Sequence, residues 1–467
     1  SPLRKVFKDD RMAAGKLERD NRLIRGGRYN WQFTVVNTNK TREAKYKICP
    51  GCLTDGAGAC IPLKITEIKW IRIDLPTMFS SKYKIGDYPD PIVPLRNDNF
   101  TVARGENASF LVECDVPYDA PAGKYKGKVA VRFNGETKNI ELAAKVTGVT
   151  LPRQSYMKST AGLRAPSKRL MQEVGYSGTQ QEFLEAIREA YMRNRVCPRE
   201  TDISWGAPAE QLAAQIQDYL DKGATTFWIP DGFFTKPGPQ LEKIVKVLRE
   251  KNAMSRAFHY ISDEPSHDMF PAIIEKAKKL HEMYPDLRIL STCYGDGMKP
   301  LFGTIDIWCR GEHADPWRAE RVAKGDEFMT ANLGNCNIED QLAGLVRTFP
   351  VMKANMCSGF LYWNMINGYG DDNPWVRVAV SGSNGGHGHI MFPYTTGPVE
   401  TVRWKAIGYG IELFDMISML DKRAVEGKRG AEKARDAVYK RITDYKGDLQ
   451  DEEQLESFRA QLIDALE

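Results

Sequence analysis

The stretch TTFWIPDGFFTKPGPQLEKIVKVLREKNAMSRAFHYISDEP, residues 225–265, contains one complete repeat of the pattern that sets the fold. A short apolar run, TTFWIPDGF, leads into a helical segment, GPQLEKIVKVLREKN, and a second apolar run, AFHYISDEP, follows it. Apolar runs that alternate with helical segments are typical of βαβ units, in which helices join parallel strands. The stretch therefore predicts a parallel sheet covered by helices.

The same alternation extends over residues 153–421 and includes eight strand-like runs. The runs are SYMKSTAGL, RVCPRETDISW (the weakest of them), TTFWIPDGF, AFHYISDEP, LRILSTCYG, IDIWCRG, EFMTANL and GFLYWNM. Eight strand–helix repeats predict a (β/α)8 TIM barrel as the catalytic domain. A doubly wound open sheet is the alternative, but it usually has fewer units and a Gly-rich phosphate loop after its first strand, which this chain lacks.

The segments on either side of the barrel have different patterns. Residues 1–152 contain alternating or β-branched runs, such as YNWQFTVVNT and GKYKGKVAVRF, separated by turn residues and by an Asn134-Gly135 hairpin signal. They predict an N-terminal β-sandwich domain. Residues 422–467 are highly charged and helical, with a break at TDYKGD, and predict a C-terminal helical hairpin.

Composition excludes several classes of function. Hydrophobic residues make up 42% and charged residues 27% of the 467 residues, which is ordinary for globular domains. The net charge of +5 comes without a basic stripe, so we expect no nucleic-acid partner. No apolar run reaches the roughly 18 residues of a membrane span. The first residues, SPLRKVFKDD, have no apolar signal-peptide core.

The nine cysteines do not form a metal-binding pattern. Cys49, Cys52 and Cys60 are close in sequence, but the second close pair that a zinc ribbon needs is absent. These three residues could form a disulfide in a Gly-rich loop or stay free thiols. Because the strand ends also lack a three-ligand His/Asp cluster, we expect neither a metal nor another cofactor.

Candidate substrate-binding residues follow the predicted strands, because the active site of a barrel lies at the carboxyl ends of its strands. They are Trp228, Asp231, Tyr294, Trp308, Asn332, Trp363 and Asn364. Sugar recognition needs aromatic rings against the C–H faces of the pyranose and polar groups for its hydroxyls. Each tryptophan could equally belong to the barrel core. The G-x-S-x-G turn that presents a nucleophilic serine is absent.

The Asp263-Glu264-Pro265 run is the strongest feature. Two adjacent carboxylates at the end of an apolar strand are costly unless they are exposed, paired or functional. Since successive side chains on a strand alternate, both can face one site only where the strand ends. Pro265 predicts an extended Glu264. The alternative is that the run only marks the start of the next helix.

The second carboxylate of a two-strand retaining mechanism is missing from the predicted seventh strand. Its end, MTANLGNCNI, contains none, and Glu327 lies at the opposite end of that strand. This absence favours the substrate-assisted exception, in which the acetamido group of the sugar is the nucleophile. Glu264 would then be the general acid and base, and Asp263 would orient the acetamido nitrogen and stabilise its developing charge.

These residues resemble glycoside hydrolase family 123, the β-N-acetylgalactosaminidases. The strand-4 motif YISDEPS, the upstream APAGKYKGKV and the late GHGHIMFPYTTGPVETVRWKAIGYGIELFDMI carry the resemblance up to residue 421. It implies an exo-acting, retaining enzyme in which Asp263 orients the acetamido group, Glu264 is the acid/base and Tyr294 bonds the acetamido oxygen. Relatives often have Asp-Gly where this chain has Gly386-His387-Gly388-His389, which leaves the sugar and the roles of both histidines open.

Two other functions remain open at this point. A glycosidase of the same fold could act on a sugar without an acetamido group, with Asp231, Glu312 or Asp371 as its second carboxylate. An inactive relative could bind carbohydrate only. In each case the expected partner is a glycan or glycoconjugate, and this substrate class implies a secreted, periplasmic or cell-surface protein.

Overall fold

A computed structural model describes residues 3–8, 10, 21–74, 77, 83–295, 297–311, 315–366, 372–378, 385–443 and 448–467. Along the chain these residues form a β-rich N-terminal part, a parallel sheet surrounded by helices, and a helical C-terminal region. The general architecture predicted from the sequence is thereby confirmed. The predicted domain boundaries stay predictions.

The N-terminal part contains two β-sheets. Its strands are β1 (Arg22–Arg25), β2 (Arg28–Val36), β3 (Ala44–Cys49), β4 (Cys52–Thr54), β5 (Cys60–Pro62), β6 (Lys64–Ile73), β7 (Gly86–Pro94), β8 (Asn99–Val102), β9 (Asn107–Asp115), β10 (Gly123–Phe133) and β11 (Glu136–Thr150). One sheet has the order β1-β11-β10-β3-β8, with β4 joined to β10 and β5 to β4. The other has the order β2-β9-β6-β7. One hydrophobic cluster contains residues of both sheets, as expected of a β-sandwich. The β-sandwich itself stays a prediction.

The hairpin predicted at Asn134-Gly135 is confirmed. Phe133 of β10 pairs with Glu136 of β11, so the two intervening residues form the whole loop. Both have positive φ, 49° for Asn134 and 82° for Gly135, as a type I′ turn requires. Because that turn has the twist of its flanking strands, β10 and β11 pair in continuous register from Gly123 to Phe133.

The second half of the chain builds a nearly closed parallel barrel of seven strands. They are β12 (Lys158–Ala161), β13 (Phe227–Trp228), β14 (Ala257–Asp263), β15 (Arg288–Thr292), β16 (Ile307–Arg310), β17 (Glu327–Ala331) and β18 (Gly359–Tyr362). Their order is β12-β18-β17-β16-β15-β14-β13. A short antiparallel pair, β19 (Phe392–Tyr394) and β20 (Gly397–Val399), follows the barrel strands.

The prediction of an eighth strand, RVCPRETDISW, is wrong. This run contributes a single parallel bridge between Ala161 and Pro198, because proline has no N–H group with which to continue a ladder. On its other side, side-chain bonds replace backbone pairing: the Thr225 N–H donates to Cys197 Sγ over 3.0 Å. The Thr226 hydroxyl donates past this run to the Ser159 carbonyl of β12. The barrel therefore closes here through side chains.

Amphipathic helices cover the barrel. They are α1 (Lys168–Glu173), α2 (Gln180–Arg193), α3 (Ala209–Asp221), α4 (Gly232–Thr235), α5 (Pro239–Glu250), α6 (Phe270–Met283), α7 (Arg318–Ala323), α8 (Leu342–Ala354) and α9 (Val402–Val425), with short 3-10 turns at Met254–Arg256, His267–Met269 and Lys299–Leu301. Helix α2 shows why such segments begin where they do. Thr179 and Glu182 form a capping box at its start, and its buried face includes Phe183 and Ile187.

Two further helices, α10 (Ala431–Thr443) and α11 (Glu452–Leu466), form the helical C-terminal region. Both pack on α9 through apolar faces that include Val438 and Phe458. None of the helices in the described part of the chain is long and apolar enough to cross a membrane.

Cysteine side chains lie throughout the fold, and all nine are free thiols in the structure. The disulfide considered for Cys49, Cys52 and Cys60 is therefore not formed here. Cys52 and Cys60 lie on the paired strands β4 and β5, and a hydrogen bond between their thiols raises the pKa of Cys60. Within the ranges described above, no group of three or more His, Cys, Asp or Glu residues could hold a metal ion.

A buried ion pair joins the N-terminal part to the barrel. Arg403 of α9 donates to both carboxylate oxygens of Asp90 in β7 over 2.8 and 2.7 Å, and both side chains are almost completely buried. The same guanidinium donates to the carbonyls of Cys336, Gly386 and His389. These carbonyls belong to the segments after β17 and β18, so Arg403 fixes those segments against the N-terminal sheet.

Candidate active site

The carboxyl ends of neighbouring strands bring the candidate residues together. In the sheet register Asp263 of β14 lies opposite Thr292 of β15, and Thr292 lies opposite Cys309 of β16. On the other side of β16, Arg310 lies opposite Thr330. Because these strands are parallel, the residues that follow them meet at one mouth of the barrel.

An irregularity in β14 places Asp263 on the same side as Tyr260. In a regular strand two residues three positions apart point to opposite faces. Here the register with β15 shifts between Tyr260 and Ser262, as in a β-bulge. The Tyr260 hydroxyl consequently reaches Asp263 Oδ1 over 2.6 Å, although Tyr260 itself packs with the residues inside the barrel.

Asp263 accepts a second hydroxyl from the neighbouring strand. Thr292 Oγ1 lies 2.6 Å from the same Asp263 Oδ1, and the oxygens of Tyr260 and Thr292 are 2.7 Å apart. Burial, followed by the hydrogen bond to Asp263, raises the pKa of Tyr260. The phenol therefore stays protonated and can donate to the carboxylate at neutral pH.

Glu264 has a left-handed backbone conformation, with φ at 45°, so the extended conformation predicted from Pro265 is wrong. Its N–H group donates to Thr292 Oγ1 over 2.9 Å and to the Thr292 carbonyl over 3.1 Å. These bonds hold a conformation that costs roughly 1–3 kcal/mol for a residue with a side chain. Both Asp263 and Glu264 remain exposed at the end of the strand.

Tyr294, another candidate residue, lies close enough to the two carboxylates for their charges to affect its pKa. Burial raises the pKa of its phenol to about 12, with further contributions from Cys309 and then from the charges of Glu264 and Asp263. The residue is still 46% exposed at the mouth.

Arg310 fixes the segment that carries Tyr294. Its guanidinium donates to the carbonyls on either side, those of Cys293 over 3.1 Å and Gly295 over 3.0 Å. A two-bond ion pair with Asp315 orients the guanidinium in turn. Tyr294 thus lies in a segment that Arg310 holds on both sides.

Trp228 lies inside the barrel under the same mouth. Its ring meets that of Tyr260 edge to face, with centroids 4.8 Å apart. The guanidinium of Arg199 lies 5.0 Å from the Trp228 centroid, within the range of a cation–π contact. Trp228 is half-buried, and through Tyr260 it borders the candidate carboxylates.

The predicted residues after β17 and β18 form a separate bonded group. Asn332 Oδ1 accepts the Trp363 N–H over 3.1 Å, and the Trp363 indole donates to His387 Nδ1 over 3.1 Å. The buried Asn364 uses its Oδ1 on the Ile366 N–H. Asn332 and Asn364 therefore use their side-chain oxygens to shape the segment after β18.

Both histidines of the Gly386–His389 segment are held neutral. Burial, and then the nearby Arg403 charge, lower the pKa of His387 and of His389 to about 4. Since His387 Nδ1 accepts the Trp363 indole proton, the hydrogen of its neutral ring sits on Nε2. His387 is half-buried at the mouth, whereas His389 is fully buried.

Trp308 is wrong as a substrate-binding residue. It is 0% exposed and packs with Trp317 and Phe328, and its indole donates to Asp326 over 2.7 Å. Strand alternation explains the error, because Ile307 and Cys309 fill the barrel interior and Trp308 must then face the helices.

Asp231 does not join the pair either. Its Oδ1 lies 3.4 Å from Nδ1 of His259, a buried residue of β14 that stacks on Phe234 in the layer between sheet and helices. Asp231 thus faces that layer. Glu312 and Asp371, the other candidates for a second carboxylate, lie outside the described residues.

Three residues of the site were not candidates in the sequence analysis: Tyr260, Thr292 and Arg199. Each depends on register between strands that are distant in sequence, and Tyr260 also depends on the irregularity in β14. The available signal was positional, because Thr292 ends an apolar run in the same way as Asp263 does.

Comparison with known proteins supports a likeness of fold. No protein-family model matches the sequence, and a search of curated proteins finds no match. A solved family 123 glycoside hydrolase from Clostridium perfringens, described for glycolipid glycan hydrolysis, is similar over 96% of this chain and 93% of its own, with a TM-score of 0.68 and 14% identity. The resemblance stated from the sequence is confirmed at the level of the fold.

Two other solved structures are less similar. A β-glucuronidase from Parabacteroides merdae has a TM-score of 0.30 and 9% identity, over 82% of this chain and 52% of its own. A β-galactosidase-like protein from Bacteroides fragilis has a TM-score of 0.26 and 13% identity, over 73% and 55%. Neither likeness is close enough to support an argument about this chain.

Proposed function

We propose that the protein is a glycoside hydrolase that removes a terminal N-acetylhexosamine, first of all β-linked N-acetylgalactosamine, from a glycan or glycoconjugate. The observation that carries this proposal is the adjacent pair Asp263 and Glu264 at the carboxyl mouth of a parallel barrel. Two hydroxyls hold the Asp263 carboxylate, and Tyr294 stands beside the pair.

In the proposed mechanism the substrate supplies its own nucleophile. The acetamido oxygen attacks the anomeric carbon while Glu264 donates a proton to the leaving oxygen, so that the glycosidic bond breaks and an oxazoline ring forms. Water then opens this ring with Glu264 as the base. Retention of the anomeric configuration follows, because the anomeric carbon is attacked twice.

Asp263 and Tyr294 would bind the two ends of the acetamido group. Asp263 accepts the acetamido N–H and stabilises the positive charge that develops as the ring closes. The Tyr294 phenol, with its pKa of about 12, stays a donor for the acetamido oxygen through the neutral range. Together they would align that oxygen with the anomeric carbon.

The carboxylates near β17 support the substrate-assisted route over a protein nucleophile. Glu327 begins the strand and bonds Lys158 at the far end of the barrel. The next carboxylates after the strand are engaged by the N-terminal part: Glu339 accepts both donors of Thr77, and Asp340 accepts the Tyr83 hydroxyl. None of these three is available as the nucleophile of a two-strand design.

We also propose the domain division 1–152, 153–421 and 422–467, with the N-terminal β-sandwich acting as a support for the barrel. The buried contact of Asp90 with Arg403 favours this role, because it links β7 to the segments that border the mouth. Glycan binding by the sandwich itself is not needed for the proposal.

The test is hydrolysis of nitrophenyl β-glycosides of N-acetylgalactosamine, N-acetylglucosamine, galactose and glucose. We expect turnover of an N-acetyl sugar only, and inhibition by a thiazoline analogue of the oxazoline. Turnover of the plain sugars would instead favour a glycosidase with a protein nucleophile. Because the similar Clostridium perfringens enzyme is described for glycolipid glycans, a glycolipid is the first natural substrate to test.

A further inference from the structure

Thr292 is bonded to both residues of the candidate pair at once. Its hydroxyl lies 2.6 Å from Asp263 Oδ1, and it accepts the backbone N–H of Glu264 over 2.9 Å. Its carbonyl accepts the same N–H over 3.1 Å. Thr292 comes from β15, whereas both carboxylates come from β14, so the contact ties two strands together at the mouth.

The directions of these hydrogen bonds follow from the donors. A backbone N–H can only donate, so Thr292 Oγ1 must be the acceptor towards Glu264. The single hydroxyl proton of Thr292 is then available for Asp263, which is an acceptor when ionised. The Tyr260 hydroxyl donates to the same Oδ1, with 2.6 Å between the two oxygens.

Asp263 is consequently held by one of its two carboxylate oxygens. Both hydroxyls converge on Oδ1, while the residue is exposed at the end of its strand. A carboxylate whose Oδ1 is fixed on two sides has little rotational freedom. Its other oxygen, Oδ2, then points in a defined direction and can accept a hydrogen bond from a bound substrate.

Glu264 is held through its backbone instead. Its left-handed conformation is disfavoured for a residue with a side chain. In this conformation the Glu264 N–H donates to two acceptors, the hydroxyl and the carbonyl of Thr292. Loss of the Thr292 hydroxyl would remove one of them. The direction in which the Glu264 side chain leaves the strand therefore depends on the neighbouring threonine.

We propose that Thr292 is the positioning residue for both carboxylates, with Tyr260 as the second hydroxyl that orients Asp263. This inference rests on the proposed function for the roles of the pair. Neither Thr292 nor Tyr260 bonds the substrate in this proposal. They align the acceptor for the acetamido N–H and the proton donor for the leaving oxygen relative to one another.

The test compares Thr292→Val, which keeps the shape but removes the hydroxyl, with Thr292→Ser, which keeps the hydroxyl. We expect Thr292→Val to lower kcat about 100-fold, the effect of misplacing a reacting group by about 1 Å, with KM changed less than about three-fold. Thr292→Ser should restore kcat to within about five-fold of the wild type, since it keeps the same hydrogen bonds. Thr330 is a buried threonine on β17, and Thr330→Val is the matched control for replacing a buried threonine by valine.

A double-variant cycle separates positioning from general damage. Tyr260→Phe should lower kcat in the wild-type protein but have almost no further effect when Asp263 is already Ala, because the oxygen that accepts the Tyr260 hydroxyl is gone. Equal fold losses in both backgrounds would overturn the role of Tyr260. A Thr292→Ser protein as impaired as Thr292→Val would overturn that of Thr292.

Failure of the proposed function has a different signature. If the enzyme hydrolyses plain sugars, the proposed substrate is wrong. The positioning role of Thr292 and Tyr260 is then tested with the same variants on those sugars. If no glycoside is turned over, crystal structures of wild type and Thr292→Val decide. A rotated Asp263 carboxylate or a changed Glu264 φ in the variant supports positioning, and an unchanged pair overturns it.

Discussion

Arg403 and Asp90 form a two-bond ion pair in which both side chains are almost completely buried, although 313 positions separate them in the chain. The pair joins the last barrel helix, α9, to the strand β7 of the N-terminal part. The same guanidinium also donates to carbonyls of the segments that follow β17 and β18. This one contact therefore contributes both to the stability of the protein and to the shape of the mouth.

Removal of Asp90 should destabilise the protein strongly. In Asp90→Ala the buried Arg403 charge loses its partner, and we expect a loss of about 3–5 kcal/mol in the free energy of unfolding. Chemical denaturation measures it. Asp87→Ala is the control, because its bond to Lys8 is partly exposed and should be worth about 0–1 kcal/mol. Similar losses in both variants would contradict this account.

The two candidate carboxylates should respond differently to substitution. Glu264→Gln should lower activity most on substrates with poor leaving groups, by about 100- to 10,000-fold, because these depend on proton donation. Asp263→Asn should lower activity on all acetamido substrates, whatever the leaving group. Kinetics on a series of aryl glycosides, with circular dichroism to confirm folding, make the comparison. Equal and mild effects of the two substitutions would rule out the assigned roles.

Two tryptophans that look alike in the sequence should behave as a matched pair. Trp228 borders the mouth beside Tyr260, so Trp228→Leu should raise KM about ten-fold through loss of an aromatic sugar contact of about 1.4 kcal/mol. Trp308 is buried under the helices, so Trp308→Leu should lower Tm and leave the KM of the folded enzyme unchanged. The reverse result would mean that their faces of the barrel are misassigned.

Glu412 should make stability depend on pH. Burial raises the pKa of this carboxyl from 4.5 to about 7, and the backbone N–H of Arg28 only partly opposes this. Between these pH values the unfolded chain ionises first, so stability falls as pH rises. Above pH 7 the loss reaches at most roughly 3 kcal/mol.

The variant Glu412→Gln tests this pH dependence. It should be more stable than the wild type at pH 8 and nearly equal to it at pH 4.5, because an amide does not ionise. Glu412 Oε1 already accepts the Arg28 N–H over 2.6 Å, and glutamine keeps that acceptor. The exposed Glu250→Gln is the control. A stability difference that does not change between pH 4.5 and 8 would refute the prediction.

Much of the barrel could be predicted because its signal is local. The repeat of apolar runs and helical segments, and the Asn134-Gly135 turn, depend on residues close in sequence. The position of the Asp263-Glu264 pair at a strand end was predictable for the same reason. The eighth strand was not, since Pro198 and side-chain bonds to Thr225 decide its pairing.

The details of the site depend on register, which a single sequence does not reveal. Trp308 was misassigned because one step along a strand reverses the face, and nothing near it indicates the step. Tyr260 was missed because the shift within β14 breaks the regular alternation. Thr292 and Asp263 are 29 positions apart, and only the pairing of two strands brings their side chains together.

The barrel wall is held in two different ways. Most of it is held by backbone pairing, but at the seam between Cys197 and Thr225 it is held by side chains. Backbone ladders run without a gap from β13 through β18 to β12, so the rim that carries Asp263 and Glu264 should exchange its amide hydrogens slowly. At the seam, hydrogen bonds of the Cys197, Thr225 and Thr226 side chains take the place of a backbone ladder, and Arg199 and Trp228 lie beside it. We therefore expect the seam to open more easily than the rim that carries the reacting groups.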